Sequence, residues 1–230
     1  MRATGPCGAA HLISDGRQDT LIYMDHAETQ ALKANLRREA SARRRQAHVA
    51  HPQAGLALMQ HFKSAIQAPA GAVISGFWPM GDEIDIAPLL SQLHASGHPI
   101  GLPVVVGKGQ PLIFRSWHPG LALVAGGFRT EVPPPSSPEL VPGILIVPLL
   151  AFDAEGYRLG YGGGFYDRTL EKLRGARGKR PLAIGVAFSA QHVARVPRDH
   201  YDQPLDWIVT EKSAQAFATT APQSLKAAEA

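Results

Sequence analysis

The sequence predicts an α/β fold, a central, mostly parallel sheet with helices on both faces. Three observations lead there. Strand-like runs such as 144–150 and 182–188 alternate with amphipathic helical segments. The strands read as near-continuous apolar stretches, as strands covered on both faces do. The 230 residues are 45% apolar and 18% charged, enough for one domain that buries about 70% of its unfolded surface. No composition break requires a second domain.

The elements follow in order. Residues 1–23 carry Gly, Pro, Ser and Asp without a sustained period and are expected to form a flexible N-terminal extension. The domain, residues 24–211, opens on a helix. Asp25 and Glu28 fit a capping box, in which each side chain accepts from the other's backbone N–H. Leu32 and Leu36, four apart, carry the run to about residue 48. Leu56, Met59, Phe62 and Ile66 recur at helical spacing and predict a second helix over 53–67. Residues 72–78, AVISGFW, read as a strand bounded by Gly71 and Pro79. Asp85 can cap a third helix whose Ile86, Leu89, Leu90 and Leu93 share a face, and Gly97 can end it.

The runs 99–106 and 111–117, separated by GKGQ, read as a hairpin or as neighbouring strands. Residues 132–138, VPPPSSP, are too proline-rich for regular structure. A strand over 144–150, a glycine-rich loop, a helix over 167–174 and strands over 182–188 and 207–210 complete the domain. Residues 212–230, rich in Ala, Ser, Thr and Gln, are expected to be a surface tail.

Lys and Arg outnumber Asp and Glu by 23 to 19, giving a formal charge of +4 and a pI near 9.4. This mild excess suits an anionic small ligand as well as a nucleic acid. The basic run 37–46, RREASARRRQ, lacks interleaved aromatics, which argues against a nucleic-acid partner. The single cysteine, Cys7, makes no internal disulfide and no cysteine metal cluster, which fits a reducing compartment. The most apolar stretch, 143–152, is too short to span a bilayer and contains a proline. After Arg2 no uninterrupted apolar core suggests a signal peptide. A cytoplasmic protein without a membrane partner is expected.

The most informative segment is 152–168, FDAEGYRLGYGGGFYDR. It follows a strand and opens a helix, where backbone N–H groups can hold an anion. Gly160, Gly162, Gly163 and Gly164 allow close backbone approach, and Arg158 adds a positive charge. Asp167, at the helix start, could cap the helix or hold a cation. The loop is not a Walker A, because Phe165 and Tyr166 follow the last glycine instead of Lys and Ser/Thr. Nor is it a dinucleotide fingerprint, because Phe165 replaces the third glycine. A glycine-lined turn packed against a neighbour is the plainer reading.

This segment resembles the signature of the 5-formyltetrahydrofolate cyclo-ligase family: a strand ending in Pro, then FD..G.RLG.G.G.YD. Here the matching residues run from Pro148 through Phe152 and Asp153, then Gly156, Arg158 and Leu159 to Asp167. Further matches occur in the same order. They are Lys33 and Arg37 on the first helix, Met80 to Asp85 after the strand 72–78, and 196–211, VPRDHYDQPLDWIVTE. The resemblance spans about residues 27–211. It implies ATP-dependent closure of 5-formyltetrahydrofolate to 5,10-methenyltetrahydrofolate with Mg²⁺, releasing ADP and phosphate. It also implies a fold similar to the sugar-phosphate isomerase/CoA-transferase group. An isomerase or CoA-transferase on that fold is the alternative activity, though no distinct catalytic motif announces one.

By the same resemblance, residues Lys33, Ala34, Asn35, Leu36 and Arg37 contact ATP. So do Arg158, Leu159, Gly160, Tyr161, Gly162, Gly163, Gly164, Phe165 and Tyr166. Arg158 and Lys33 are the expected catalytic residues. Tyr161 to Phe165 also touch the folate, together with Trp78 and Glu83. Asp167 and Asp202 correspond to the Mg²⁺ positions, with Asp199 and Asp206 as rivals of Asp202. Some family members carry basic residues where this chain has Tyr161 and Gly163, so phosphate neutralisation rests more on Arg158, Lys33, Arg37, backbone amides and metal.

Physical chemistry gives each position a second reading. Lys33 and Arg37, about 6 Å apart at Cβ, could share one phosphate chain, or could belong to a solvated basic face with Arg38, Arg43, Arg44 and Arg45. Glu83 could accept two hydrogen bonds from the pterin's amino-pyrimidine edge, or could serve as a helix N-terminal acid. Trp78 could be a buried strand-end aromatic, and Asp202 could form a loop Asx turn. The expected partner is a reduced folate, with or without a polyglutamate tail, bound by a monomer.

Overall fold

The computed structural model describes residues 10–12, 21–23 and 26–217, apart from 177–179. Most of the expected N-terminal extension, Asp25 of the expected capping box and residues 218–230 lie outside the described residues. Within the extension, Ala10–Leu12 and Leu21–Tyr23 pair as an antiparallel ribbon.

Among the described residues four α-helices form: α1 (His26–Ala50), α2 (Ala54–Ala65), α3 (Ala87–Ala95) and α4 (Phe165–Gly175). Eight strands share one sheet. They are β1 (Ile74–Ser75), β2 (Ile100–Val104), β3 (Ile113–Trp117), β4 (Glu139–Leu140), β5 (Ile144–Pro148), β6 (Leu182–Val186), β7 (Trp207–Val209) and β8 (Ala214–Ala216). Their order across the sheet is β8-β7-β6-β5-β1-β2-β3-β4. The five central strands are parallel. Antiparallel strands close both edges. The runs after α3 are therefore a hairpin, with Ile100 opposite Trp117 and Val104 opposite Ile113.

Alternation along the strands builds two cores. Ile100, Ile74 and Ile144 sit side by side across three parallel strands. They pack under Leu58 and Phe62 of α2 and Leu89, Leu90 and Leu93 of α3. The intervening Leu145 and Val147 face the opposite core, which α4 closes with Leu170. Helices thus cover both faces, as the apolar strands require. Two details differ from the periodicity. Leu56 lies on the outer side of α2, half-exposed, while Ala54, Leu58 and Phe62 form the inner face. Ala214–Ala216, expected within a surface tail, forms the edge strand β8.

The inner stripe of α1 is unusual. It buries Thr29, Lys33, Ala40, Arg44 and Ala47, with Leu36 and Arg37 half-buried. A helix with two buried cations must find them acceptors, because an unpaired buried charge is costly. Among the described residues, no helix is long and apolar enough to cross a membrane.

Candidate active site

A cavity of about 860 Å³ opens beyond the carboxyl ends of the parallel strands. Its walls include Phe77 and Trp78 after β1, Pro103 of β2, Pro148 of β5 and the turn before α4. β1 leads to β2 on one side, whereas β5 leads to β6 and β7 on the other. The crevice therefore lies where the strand order reverses, the usual ligand position in open α/β sheets.

The turn is set by local chemistry. Asp153 is fully buried, and its Oδ1 accepts from the N–H groups of Glu155 and Tyr157, both at 3.0 Å. Its Oδ2 accepts from Val196 N–H at 3.0 Å. These bonds close the ribbon that pairs Ala151–Phe152 with Arg158–Leu159, which delivers Arg158 to the cavity. Gly162 (φ +100°) and Gly164 (φ +63°) then adopt the left-handed conformation that L side chains disfavour. A Cβ on Gly162 would stand 3.3 Å from the Arg37 guanidinium. The N–H groups of Gly162, Gly163 and Gly164 meet no acceptor among the described residues. Unpaired amides ahead of a helix, lining a cavity, are donors for an anion.

α4 starts at Phe165, earlier than expected. Phe165 and Tyr166 therefore occupy its first turn, and Asp167 does not cap the helix. Instead Asp167 Oδ1 accepts from Arg158 Nη2 at 2.8 Å and from Gln203 N–H at 3.1 Å. Arg158 is buried and its Nη1 donates to the Gln203 carbonyl. Both terminal nitrogens of Arg158 thus serve the scaffold.

Two cations from α1 stand opposite. Lys33 Nζ lies 2.5 Å from Asp202 Oδ2 and 3.2 Å from Asp199 Oδ2, with the lysine 5% exposed. Asp202 Oδ2 also accepts from Asp199 N–H at 2.8 Å. Burial raises the Asp202 pKa above the usual carboxylate range, against the pull of Lys33. Arg37 Nε donates to the Gly160 carbonyl at 3.0 Å. Ala34 and Asn35 are exposed on the outer side of α1, and Leu36 packs against a small core that includes Ala40, Leu150 and Leu159. None of these three lines the cavity, because at 100° per residue only Lys33 and Arg37 share the inward face. Leu159 borders the cavity and packs into the same small core as Leu36.

Glu83, also in the cavity lining, is 5% exposed. Its Oε2 accepts from Met80 N–H at 2.9 Å, and its Oε1 accepts from the Tyr161 hydroxyl at 2.7 Å. Burial raises the Glu83 pKa despite these bonds. Trp78 lies against Trp117 with centroids 5.9 Å apart. Phe165 meets Phe128 edge-on at 5.6 Å, and Phe128 itself holds φ +57°, an uncommon conformation for a non-glycine residue. The Tyr166 hydroxyl is buried with no hydrogen-bond partner among the described residues.

The fold brings Lys33, Arg37, Trp78, Glu83, Arg158, the 160–166 segment, Asp167 and Asp202 to one cavity. Asp206 stands apart. Its carboxylate is occupied by Arg174 at 3.2 Å, Arg180 at 2.7 Å and Ala183 N–H at 2.7 Å. Sequence reasoning missed Phe128 and Tyr201, which line the cavity, and it grouped Arg44 with solvated arginines. Arg44 is 6% exposed. Its spacing from Arg37, two helical turns, was the available signal.

A parallel sheet with a glycine-floored, cation-lined crevice at its switch point defines an α/β enzyme built for an anionic ligand. A sequence profile of the 5-formyltetrahydrofolate cyclo-ligase family matches residues 29–211, and this chain belongs to that family. It is 34% identical to the 5-formyltetrahydrofolate cyclo-ligase of Escherichia coli K12 over 158 residues, covering 66% of this chain and 83% of the relative. The solution structure of Aquifex aeolicus 5,10-methenyltetrahydrofolate synthetase superposes with a TM-score of 0.63 at 27% identity, covering 85% of this chain and 96% of the other. The Mycoplasma pneumoniae 5,10-methenyltetrahydrofolate synthetase shares the fold at a TM-score of 0.60 and 20% identity, covering 80% of this chain and 99% of that one.

Proposed function

We propose that this chain closes 5-formyltetrahydrofolate to 5,10-methenyltetrahydrofolate with ATP, releasing ADP and phosphate. One observation carries the reading: a single cavity holds a phosphate-type cradle together with a buried carboxylate, joined through Tyr161, and aromatic side chains in the same lining. The γ-phosphoryl passes to the formyl oxygen, making it a leaving group. N10 attacks the activated carbon and loses its proton to solvent, the ring closes and phosphate departs. Such a reaction asks mainly for positioning and charge stabilisation. The Gly162–Gly164 amides, Lys33 and Arg37 supply the charge. Arg158 supports it by orienting Asp167. Glu83 accepts from the amino-pyrimidine edge of the pterin, with Trp78 and Phe165 offering flat apolar surface.

Mg²⁺ fits Asp167 and Asp202. Asp167 Oδ2 and Asp202 Oδ1 accept no hydrogen bond among the described residues. An ion that takes one or two carboxylates, phosphate oxygens and water suits that sparse set. Bound there, it would neutralise phosphate charge. Asp199, on the same lysine, is the neighbouring carboxylate. We further propose a cytoplasmic monomer acting on free or polyglutamylated reduced folates, with no nucleic-acid or membrane partner.

The test is direct. Protein, Mg-ATP and 5-formyltetrahydrofolate together should yield the methenyl absorbance band, and omitting ATP should abolish it. No signal at high enzyme concentration would refute the proposal. A pH prediction follows from Glu83. Only the ionised carboxylate accepts both hydrogen bonds, and burial has raised its pKa. As pH falls through the window just above the ordinary carboxylate range, about 4.3, the KM for folate should rise while the KM for ATP holds. Glu83→Gln should raise the folate KM about tenfold or more and flatten that acid limb. A limb unchanged in the variant would assign the titration to another group.

A further inference from the structure

Arg44 extends from the C-terminal third of α1 to a position behind Glu83 and Tyr161, which line the cavity while Arg44 itself does not. It is buried, whereas its neighbour Arg45 is exposed. Its Nε donates to Asp82 Oδ1 at 3.1 Å, and its Nη2 contacts the same oxygen. Its Nη1 donates to the Tyr161 hydroxyl and lies 3.6 Å from Glu83 Oε1. The Tyr161 hydroxyl donates onward to that same Oε1. The chain of contacts therefore runs from Asp82 through Arg44 and Tyr161 to one oxygen of Glu83, while Met80 N–H holds the other.

We infer that Arg44 is a positioning residue that orients the Glu83 carboxylate and keeps it ionised for the folate. The inference rests on the proposed role of Glu83 in binding the pterin edge. Geometry makes the case. A buried carboxylate 5% exposed needs a nearby cation to stay charged, and the guanidinium fork reaches Asp82 and Tyr161 at once. Four groups face or flank Glu83. Arg44 comes from α1, Asp82 adjoins it in sequence, Tyr161 comes from the glycine-rich turn, and Tyr166 comes from α4. Arg44 is the cation of the four. Asp82 opposes ionisation, and the two phenols remain protonated because burial and the Glu83 charge push both upward. A positioning role also explains why a helix that leaves Arg38 and Arg45 exposed turns this one inward.

The experiment compares Arg44→Met and Arg44→Lys with the parent enzyme across pH. Arg44→Met should raise the folate KM about tenfold, the loss expected of one charge-assisted contact, with the ATP KM within about twofold. Its acid limb should move to higher pH, because Glu83 loses its stabilising cation. Arg44→Lys should shift the limb less, since it keeps the charge and loses the fork. In a Glu83→Gln background the Arg44→Met effect on folate KM should largely vanish, because the two act as a unit. Equal loss for folate and ATP, an unmoved limb or full additivity with Glu83→Gln would overturn the inference. If Arg44→Met does not fold, the limb of Arg44→Lys decides by the same criterion. Folate binding read by quenching of tryptophan fluorescence, with Trp78 in the cavity wall, gives a second readout. Parent enzyme that binds folate without turnover would sink the proposed reaction, and the binding limb would still judge Arg44.

Discussion

Arg158→Ala should lower kcat/KM for ATP by about a hundredfold or more and should also weaken the fold. The guanidinium is buried and holds both Asp167 and the Gln203 carbonyl. Its loss leaves the Gln203 carbonyl without this donor and leaves Asp167 without its cation, with only the Gln203 N–H still donating to the carboxylate. Breaking a fully buried pair costs about 3–5 kcal/mol. Asp167 is a quarter exposed, so about 2–3 kcal/mol is the reasonable expectation after solvent screening. For a domain of this size that lowers Tm by roughly 5–10 °C. Arg158→Lys should recover little of either effect, because one ammonium cannot reproduce a planar fork. The kinetic loss should persist at temperatures where the variant is fully folded. Unchanged kinetics in folded Arg158→Ala would remove this arginine from the phosphate end of the site.

Lys33→Met is the second large effect. The lysine lies between Asp199 and Asp202, almost fully buried. Methionine preserves most of the apolar stem but takes the bonded ammonium away from both carboxylates, leaving Asp202 the less direct attraction of Arg37. Folding should weaken by about 3 kcal/mol, and ATP affinity should fall by at least about tenfold. The folate KM should move far less, since Lys33 bonds Asp199 and Asp202 and makes no bond to Glu83. Steady-state kinetics with each substrate varied in turn would separate these cases. Equal losses for both substrates would mean that Lys33 supports the whole site and does not serve one ligand.

Much of the fold was legible because its strands are short, apolar and bracketed by turn residues. Periodicity placed α2 and α3, and the GKGQ break separated β2 from β3 while leaving open whether they formed a hairpin or merely neighbouring strands. What periodicity could not supply was the inward stripe of α1. That stripe is polar, so a hydrophobic pattern reads it as surface, and Arg44 was grouped with its solvated neighbours. The glycine-rich turn was visible as a phosphate cradle, but its scaffolding was not. Gln203 holds Arg158 and Asp167, and Asp153 holds Val196, through backbone atoms distant in sequence, and no spacing rule reports such bonds. The same limit applies to Asp202, Asp199 and Asp206, three acids in one stretch. Only their partners separate them: Lys33 for two, and Arg174 and Arg180 for the third. Strand β8 was missed because an Ala-Gln-Ala segment has weak strand preference, and pairing with β7 is what orders it.

The central claim is that the amides of Gly162 to Gly164, with Lys33 and Arg37, hold a triphosphate facing Glu83 across one cavity. A crystal structure with a non-hydrolysable ATP analogue and Mg²⁺ tests it most directly. The phosphates should lie over the turn within hydrogen-bond reach of those three N–H groups, flanked by both cations, with the metal against Asp167 or Asp202. A nucleotide bound elsewhere, with the turn bare and its amides directed away from phosphate, would contradict the account.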